Sequence, residues 1–418
     1  MGTIDQHGVA RKEPVHGGDG KDVAEAGMNA EPVSGAGLWP PSPPPPMVVQ
    51  KGGWKPRLRS ALVFCGWLAL GAAFGYAATA LSWEISGMQW LVGTLAFIFA
   101  GWLNLILHEA GHALAGIAFG QRAYAFGIGS WRLERGQAGW HVRKGGAISG
   151  VGGFAALAPR AGRAGSRRDM VAFLLGGPFA NLLTGAAGLA LLHCWQPPAL
   201  LAAALVGAVL SALLLGVVNL LPFRSKGWYS DGLNLLHLLR NNASARARIQ
   251  ATQLLGLSLA GVRPRDWPPQ LLPDTDTDTE DGDPALVSGL LALHLVCAID
   301  QDEREAADLL AQRLAPMLYD VPEAMRAALA VNIAFHIACF RPDAKLLAAW
   351  LPHCAGGLLD VSAQRELLQA EHRLLLGDDA AAAEHLARAS DSMHRVQDAG
   401  SAKMLADRIQ VLRARLAG

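Results

Sequence analysis

The chain has 418 residues, 51% of them hydrophobic and 17% charged, with a net charge of +1. Soluble domains carry about 25% charged residues, so the composition points to a membrane protein, and a net charge so near zero gives no bulk field for nucleic acid. The five cysteines, Cys65, Cys194, Cys297, Cys339 and Cys354, have no metal-knuckle or redox spacing, and the chain is too long to be a disulfide scaffold, so they read as reduced thiols.

Residues 1–58 read as a disordered, Gly/Pro-rich cytoplasmic tail. It holds the run Trp39-Pro-Pro-Ser-Pro-Pro-Pro-Pro46, which favours polyproline II and suits a tether or an SH3-type ligand. Met1 is followed by polar residues, so no signal peptide is expected. Residues 59–240 read as a membrane-embedded domain of four spans. The first covers about 60–81, the second runs from about Met88 through His112 towards Phe119, the third covers about 170–193 and the fourth about 199–221. Lys51, Lys55, Arg57 and Arg59 precede the first span, and residues 121–168 hold nine Lys or Arg against one acidic residue, Glu134. Arg224 and Lys226 follow the fourth span, so positive charge falls on alternate connections. The positive-inside rule then puts these segments and both termini in the cytoplasm, with a bacterial inner membrane as the expected setting.

The second span carries Asn104-Leu-Ile-Leu-His108-Glu109-Ala-Gly-His112. On a helix, His108 and His112 share one face one turn apart. Two neutral imidazoles so placed can hold one Zn²⁺, and Glu109 beside them can take a proton from zinc-bound water. A chance match to this motif in such a chain is on the order of one in a hundred. Ionisable groups at the end of an otherwise uncharged span mark function by default.

Segment 121–155 alternates weakly, with glycines between short runs, and predicts a small sheet or hairpins at the membrane surface. Gly145-Gly146 and Gly152-Gly153 are turn or close-approach positions there. Such a sheet either fills space or offers an edge to an extended substrate. In the third span, Gly176-Gly177-Pro178 permits close helix approach, and Asn181 is either a helix–helix hydrogen bond or an oxyanion donor. After Pro222 stops the fourth span, Asp231 emerges on the same side as His112. It is either a third metal ligand or simply the N-cap of a helix Gly232–Arg240.

His108-Glu-Ala-Gly-His112, Gly177-Pro-x-x-Asn181 and Asn219-x-x-Pro222 followed by Asp231-Gly232 together resemble the site-2 protease family of intramembrane zinc metalloproteases, over about residues 85–240. The resemblance implies one zinc ion per chain held by His108, His112 and Asp231, Glu109 as the base, and Asn181 near the scissile carbonyl. One departure is the eight residues between Pro222 and Asp231, where the family usually has only a few.

Residues 241–284 read as an amphipathic helix followed by an acidic linker, with the apolar patch Leu254–Val262 lying at the membrane interface. Residues 285–418 are rich in Ala and Leu and read as helix pairs turning near Asp300, Arg341 and Gly377. One pair fits a tetratricopeptide-type pattern, so the expectation is a cytoplasmic helical-repeat domain that binds a protein partner, with a plain bundle as the alternative. The fold class is therefore mainly α, a polytopic membrane domain with a small β element and a soluble helical domain.

The function this implies is a zinc endopeptidase that cuts a membrane-protein substrate near the cytoplasmic face of the lipid bilayer. The alternatives are a catalytically silent membrane scaffold acting through its C-terminal helices, and a zinc enzyme acting on soluble substrates. The charge asymmetry makes a direct prediction. Reporters fused after Arg59, Arg143 and Gly418 report cytoplasm and one at Gln196 reports the opposite side; a non-cytoplasmic signal at Arg143 would reverse the map.

Overall fold

The computed structural model describes residues 42–44, 85–146, 152–160, 163, 165–275 and 283–418. The expected first span, most of the tail and the core of the acidic linker lie outside the described residues. The described chain is mostly helical, with one small antiparallel sheet.

Three long helices form the first layer. Helix α1 (Gly87–Ala118) starts at a capping box in which the Ser86 hydroxyl accepts from the Gln89 N–H and the Gln89 side chain accepts from the Ser86 N–H. Helix α2 (Arg167–Trp195) starts at the same device, made by Ser166 and Asp169, and runs through Pro178 without ending. Helix α3 (Ala199–Leu220) follows a short turn. Small residues let these helices approach closely. A methyl on Gly111 would meet the Gly176 carbonyl at 2.4 Å, and one on Gly207 would meet the Gly93 carbonyl at 2.1 Å. Asn104 bridges α1 to α3, its amide donating to Ser211 Oγ at 3.1 Å and to the Ala208 carbonyl.

Between α1 and α2 lies a four-stranded antiparallel sheet of order β3-β2-β1-β4, made of β1 (Gln121–Ile128), β2 (Trp131–Gly136), β3 (Gly139–Lys144) and β4 (Gly153–Pro159). β1 pairs with β4 from Gln121–Pro159 to Ile128–Gly153, with a bulge near Tyr124. After α3, a two-stranded ribbon, β5 (Arg224–Ser225) and β6 (Trp228–Tyr229), leads into α4 (Asp231–Arg240) and α5 (Ala243–Leu259). The ribbon fills the longer interval between Pro222 and Asp231. The expected interfacial patch is instead core: Leu254 is fully buried and packs with Trp267 and Cys297. Burial against protein serves its apolar surface as well as lipid would.

The C-terminal half comprises α6 (Pro284–Asp300), α7 (Arg304–Leu314), α8 (Glu323–Phe340), α9 (Ala344–Trp350), α10 (Ser362–Leu375), α11 (Asp379–Ser392) and α12 (Ala399–Ala417). Turns fall at Asp300–Arg304, Phe340–Ala344 and Leu375–Asp379, which pairs α6 with α7, α8 with α9 and α10 with α11.

Among the described residues, four helices are long and apolar enough to cross a membrane: α1, α2, α3 and α8. Their surroundings differ. In the most apolar window of α1 only 11% of residues are buried by protein, against 61% in that of α8. Leu95, Ile98, Phe99 and Trp102 are exposed on α1, whereas Ile333 and Ile337 of α8 are fully covered by neighbouring helices. The first pattern is compatible with an apolar solvent; the second already has a core.

The sheet and the C-terminal half meet at Glu134. Its carboxylate is completely buried. It accepts from Arg143 at 2.6 Å, from the Asp360 N–H at 3.1 Å and from Gln397 Nε2 at 2.9 Å. Removing the carboxylate strands those donors and leaves Arg143 without its ion pair, holding only the Leu358 carbonyl. Glu134→Ala is expected to destabilise by about 2–4 kcal/mol and to expose the Leu358–Asp360 and Val396–Gln397 segments to protease. An unchanged melting temperature and digestion pattern would refute this role for Glu134.

Candidate metal centre

The i, i+4 spacing sets His108 and His112 on one face of α1, one turn apart, with ring centroids 4.7 Å from each other. Both are buried. What faces them is decided by α2. A methyl on Gly177 would lie 2.4 Å from His112 Nε2 and 2.8 Å from His108 Nε2. Only hydrogen fits there, so this glycine lets α2 lie directly against the imidazoles.

Asp231 completes the group. Ser230, not Asp231, caps α4, its hydroxyl accepting from the Leu233 N–H and donating to the Leu221 carbonyl. The N-cap alternative for Asp231 is therefore set aside. As the first residue of the helix, Asp231 turns its carboxylate to the histidines. Oδ2 lies 3.1 Å from His108 Nε2 and 3.4 Å from His112 Nε2, and the two Nε2 atoms are 3.1 Å apart. Three donors around a tetrahedral ion at bond lengths of about 2.0–2.1 Å would be separated by about 3.3–3.4 Å. The triangle fits a single ion.

The tautomers argue the same way. His112 Nδ1 is 2.6 Å from the Phe173 carbonyl, which can only accept, so Nδ1 carries the proton. The Gly177 N–H also lies near that nitrogen, but at 3.4 Å and as part of the same helical turn. In the neutral ring, Nε2 is then a bare lone pair facing His108 Nε2 and a carboxylate oxygen. Burial alone would push the Asp231 carboxyl up, but its contacts with His108 and His112 outweigh this and hold it below the ordinary carboxylate range. Three electron-rich atoms converging within 3.4 Å need a shared proton or a cation between them.

Asn181 is completely buried, and its amide is 3.0 Å from His108 Nδ1. That nitrogen is on the edge of the ring away from the Nε2 cluster. The amide is thus a helix–helix contact, as one sequence expectation had it, but its partner is a candidate ligand. The atom facing Nδ1 is Asn181 Nδ2, and Oδ1 has no partner among the described residues. With Nε2 committed to an ion, Nδ1 would carry the proton, and the amide turned end for end would present Oδ1 to it. Asn181 in that arrangement orients the imidazole of His108.

Glu109 lies beside the cluster without joining it. It is buried against β4, where a methyl on Gly153 would meet its Cγ at 2.9 Å. Among the described residues its carboxylate makes no hydrogen bond or salt bridge. The Gly152-Gly153 pair was legible as a close approach; the Phe173 carbonyl was not, since a backbone acceptor leaves no trace in residue identity.

A second group with ligand-type atoms within 4.8 Å comprises Glu134, His141 and Asp360. Both Glu134 oxygens are already engaged by Arg143, the Asp360 N–H and Gln397, so this cluster reads as an interface rather than a metal centre.

No protein-family model, no curated protein and no solved structure matches this chain. The geometry therefore stands on its own. Adding one methyl at Gly177 tests it without changing any donor. Gly177→Ala must displace α2 or an imidazole and is expected to lower bound metal, measured by elemental analysis of detergent-purified protein, to a small fraction of the wild-type content. Wild-type metal content in a folded Gly177→Ala protein would count against the centre.

Proposed function

We propose that the protein is an intramembrane zinc endopeptidase that cuts a membrane-anchored substrate near the cytoplasmic end of α1. The observation that carries the reading is the convergence of His108, His112 and Asp231 on one point, with the unengaged Glu109 carboxylate one residue from a ligand. A metal-binding scaffold has no chemical need of that buried carboxylate.

His108 Nε2, His112 Nε2 and Asp231 Oδ2 would hold the ion. Zinc bound there would acidify water and polarise a carbonyl, as in other zinc hydrolases. The Glu109 carboxylate takes the proton of the attacking water and delivers it to the leaving amine nitrogen. The Phe173 carbonyl keeps His112 in the tautomer that presents Nε2, and the Asn181 amide does the same for His108. The substrate helix must unwind locally before its peptide bond is open to attack, because helical backbone in lipid has its hydrogen bonds satisfied.

In the same reading α1, α2 and α3 cross the bilayer and α8 is a core helix of the C-terminal half. That half is a cytoplasmic stack of helix pairs, tetratricopeptide-like in architecture, that selects substrate or recruits a cytosolic protein. The matching turns at Asp300, Phe340 and Leu375 support it.

Glu109→Gln separates enzyme from scaffold. The amide keeps size and hydrogen bonding and leaves all three ligand atoms in place, so metal content stays at the wild-type level. Loss of a general base typically lowers rate by about 10²–10⁴-fold, so a membrane substrate cut by wild type accumulates intact. If cells carrying Glu109→Gln show wild-type membrane-protein processing while deletion of the whole gene alters it, the scaffold reading replaces this one.

A further inference from the structure

The sheet carries a second feature, at the end remote from the metal centre. Arg122 pairs with Ala158, at the opposite end of the β1–β4 ladder from the Ile128–Gly153 pair that abuts Glu109. Ala125 pairs with Glu134, so Tyr124 and Arg135 come next along their strands, on the other face of the sheet from that buried carboxylate. A cavity of about 280 Å³ opens there, lined by Arg122, Tyr124, Arg135, Gln137 and the turn to Gly139, and closed by Leu259 of α5 and by Gln397. Drug-sized ligands usually occupy about 300–1,000 Å³, so this one suits a small group.

The charge in the cavity is one-sided. Among the described residues neither Arg122 nor Arg135 makes a salt bridge; Arg135 only stacks over Trp140, 6.0 Å from its ring centre. No carboxylate lines the cavity, and two acidic residues lie near it. Glu134 is turned to the opposite face and held by Arg143. Asp398 Oδ1 accepts from the Ser258 hydroxyl and from the Ser401 N–H, as the cap of α12. Burial, reinforced by Asp398, pushes the Tyr124 phenol up to about 12, so it stays protonated and able to donate. Two guanidinium forks and a phenol supply donors, while the Gln137 and Gln397 amides donate elsewhere, to the Val396 carbonyl and to Glu134, so the cavity lining carries positive charge and no carboxylate.

We propose that this cavity binds a phosphate-bearing group, held by Arg122 and Arg135, at the junction of the sheet with the C-terminal half. The site does not depend on the peptidase reading. Guanidinium pairs recognise phosphate bidentately, which a carboxylate-free pocket leaves them free to do. The phosphate has two natural sources. Arg122 follows the end of α1 at Ala118 by four residues, near where lipid headgroups would lie, and the cavity also adjoins the C-terminal half, where a soluble phosphorylated compound could enter.

The test uses full-length protein in nanodiscs and reads the melting temperature by intrinsic fluorescence. In one arm, discs of neutral phosphatidylcholine are titrated with inorganic pyrophosphate. In the other, phosphatidic acid replaces part of the phosphatidylcholine and no soluble ligand is added. The variants are Arg122→Gln/Arg135→Gln and, as a charge-matched control away from the cavity, Lys345→Gln/Arg415→Gln. A saturable rise in wild type and control, with apparent affinity weakened about tenfold or more in the arginine variant, supports the site. A response confined to pyrophosphate makes the ligand soluble, and one confined to phosphatidic acid makes it a headgroup. If neither arm stabilises wild type, or if the arginine variant responds as wild type does, the site is overturned. Both arginines line the cavity and, among the described residues, neither makes a salt bridge, so the variant should keep the unliganded melting temperature of wild type.

Discussion

The arrangement of α1 to α4 depends on one electrostatic constraint. Two imidazole nitrogens and a carboxylate oxygen meet within 3.4 Å in a buried place, and they would repel one another without a positive charge between them. Such a meeting is costly to build, because each group gives up water. Three elements are committed to it: α1 supplies the imidazoles, α2 presses against them through Gly177 and fixes one ring through the Phe173 carbonyl, and α4 brings the carboxylate. The close contacts at Gly111–Gly176 and Gly93–Gly207 hold that geometry rigid. Were these helices in lipid, there would be little hydrophobic gain from pressing them together, and small residues and buried amides would supply the adhesion. Asn104, one turn before His108, does so towards α3, and Asn181 does so towards His108 itself.

The sheet links this centre to the rest of the molecule. One end of β4 touches Glu109 through Gly153, while the other end of the β1–β4 ladder borders the arginine-lined cavity. The buried Glu134 ties the β2–β3 hairpin to the segments before α10 and α12. A rigid strand pair therefore runs from the candidate reacting group to the C-terminal half. A shift of that half is felt at Gly153 only if the sheet moves as a body, and the fully satisfied Glu134 contact is what would make it do so.

Much of this was legible in residue order. The uncharged runs gave the helices now seen at Gly87–Ala118, Arg167–Trp195 and Ala199–Leu220 within a few residues, because a span must be long, apolar and unbroken. The i, i+4 histidines gave half of the candidate metal centre, because helical periodicity is local. Glycine pairs marked close approach, because a missing Cβ has few other uses inside an apolar helix. The turns of the C-terminal helix pairs were likewise marked by local breakers. Other features were misread or left open for a physical reason. Leu254 looked interfacial because apolarity states only that a residue avoids water, not whether lipid or protein covers it. Asp231 stayed open between ligand and cap, because an acidic residue before a helix is often a cap, and Ser230 takes that place.

The sequence by itself determined the elements, the pair His108 and His112 with its adjacent carboxylate, and the apolar lengths that suit a bilayer, since all of these are properties of neighbours along the chain. Tertiary structure alone decided which carboxylate joins the histidines, which backbone carbonyl sets the tautomer of His112, that Asn181 lies behind His108, and that Arg122 and Arg135 share a cavity. Those facts concern residues tens to more than a hundred positions apart or joined through backbone atoms. Only packing, set by where a methyl group will or will not fit, brings such groups within reach of one another.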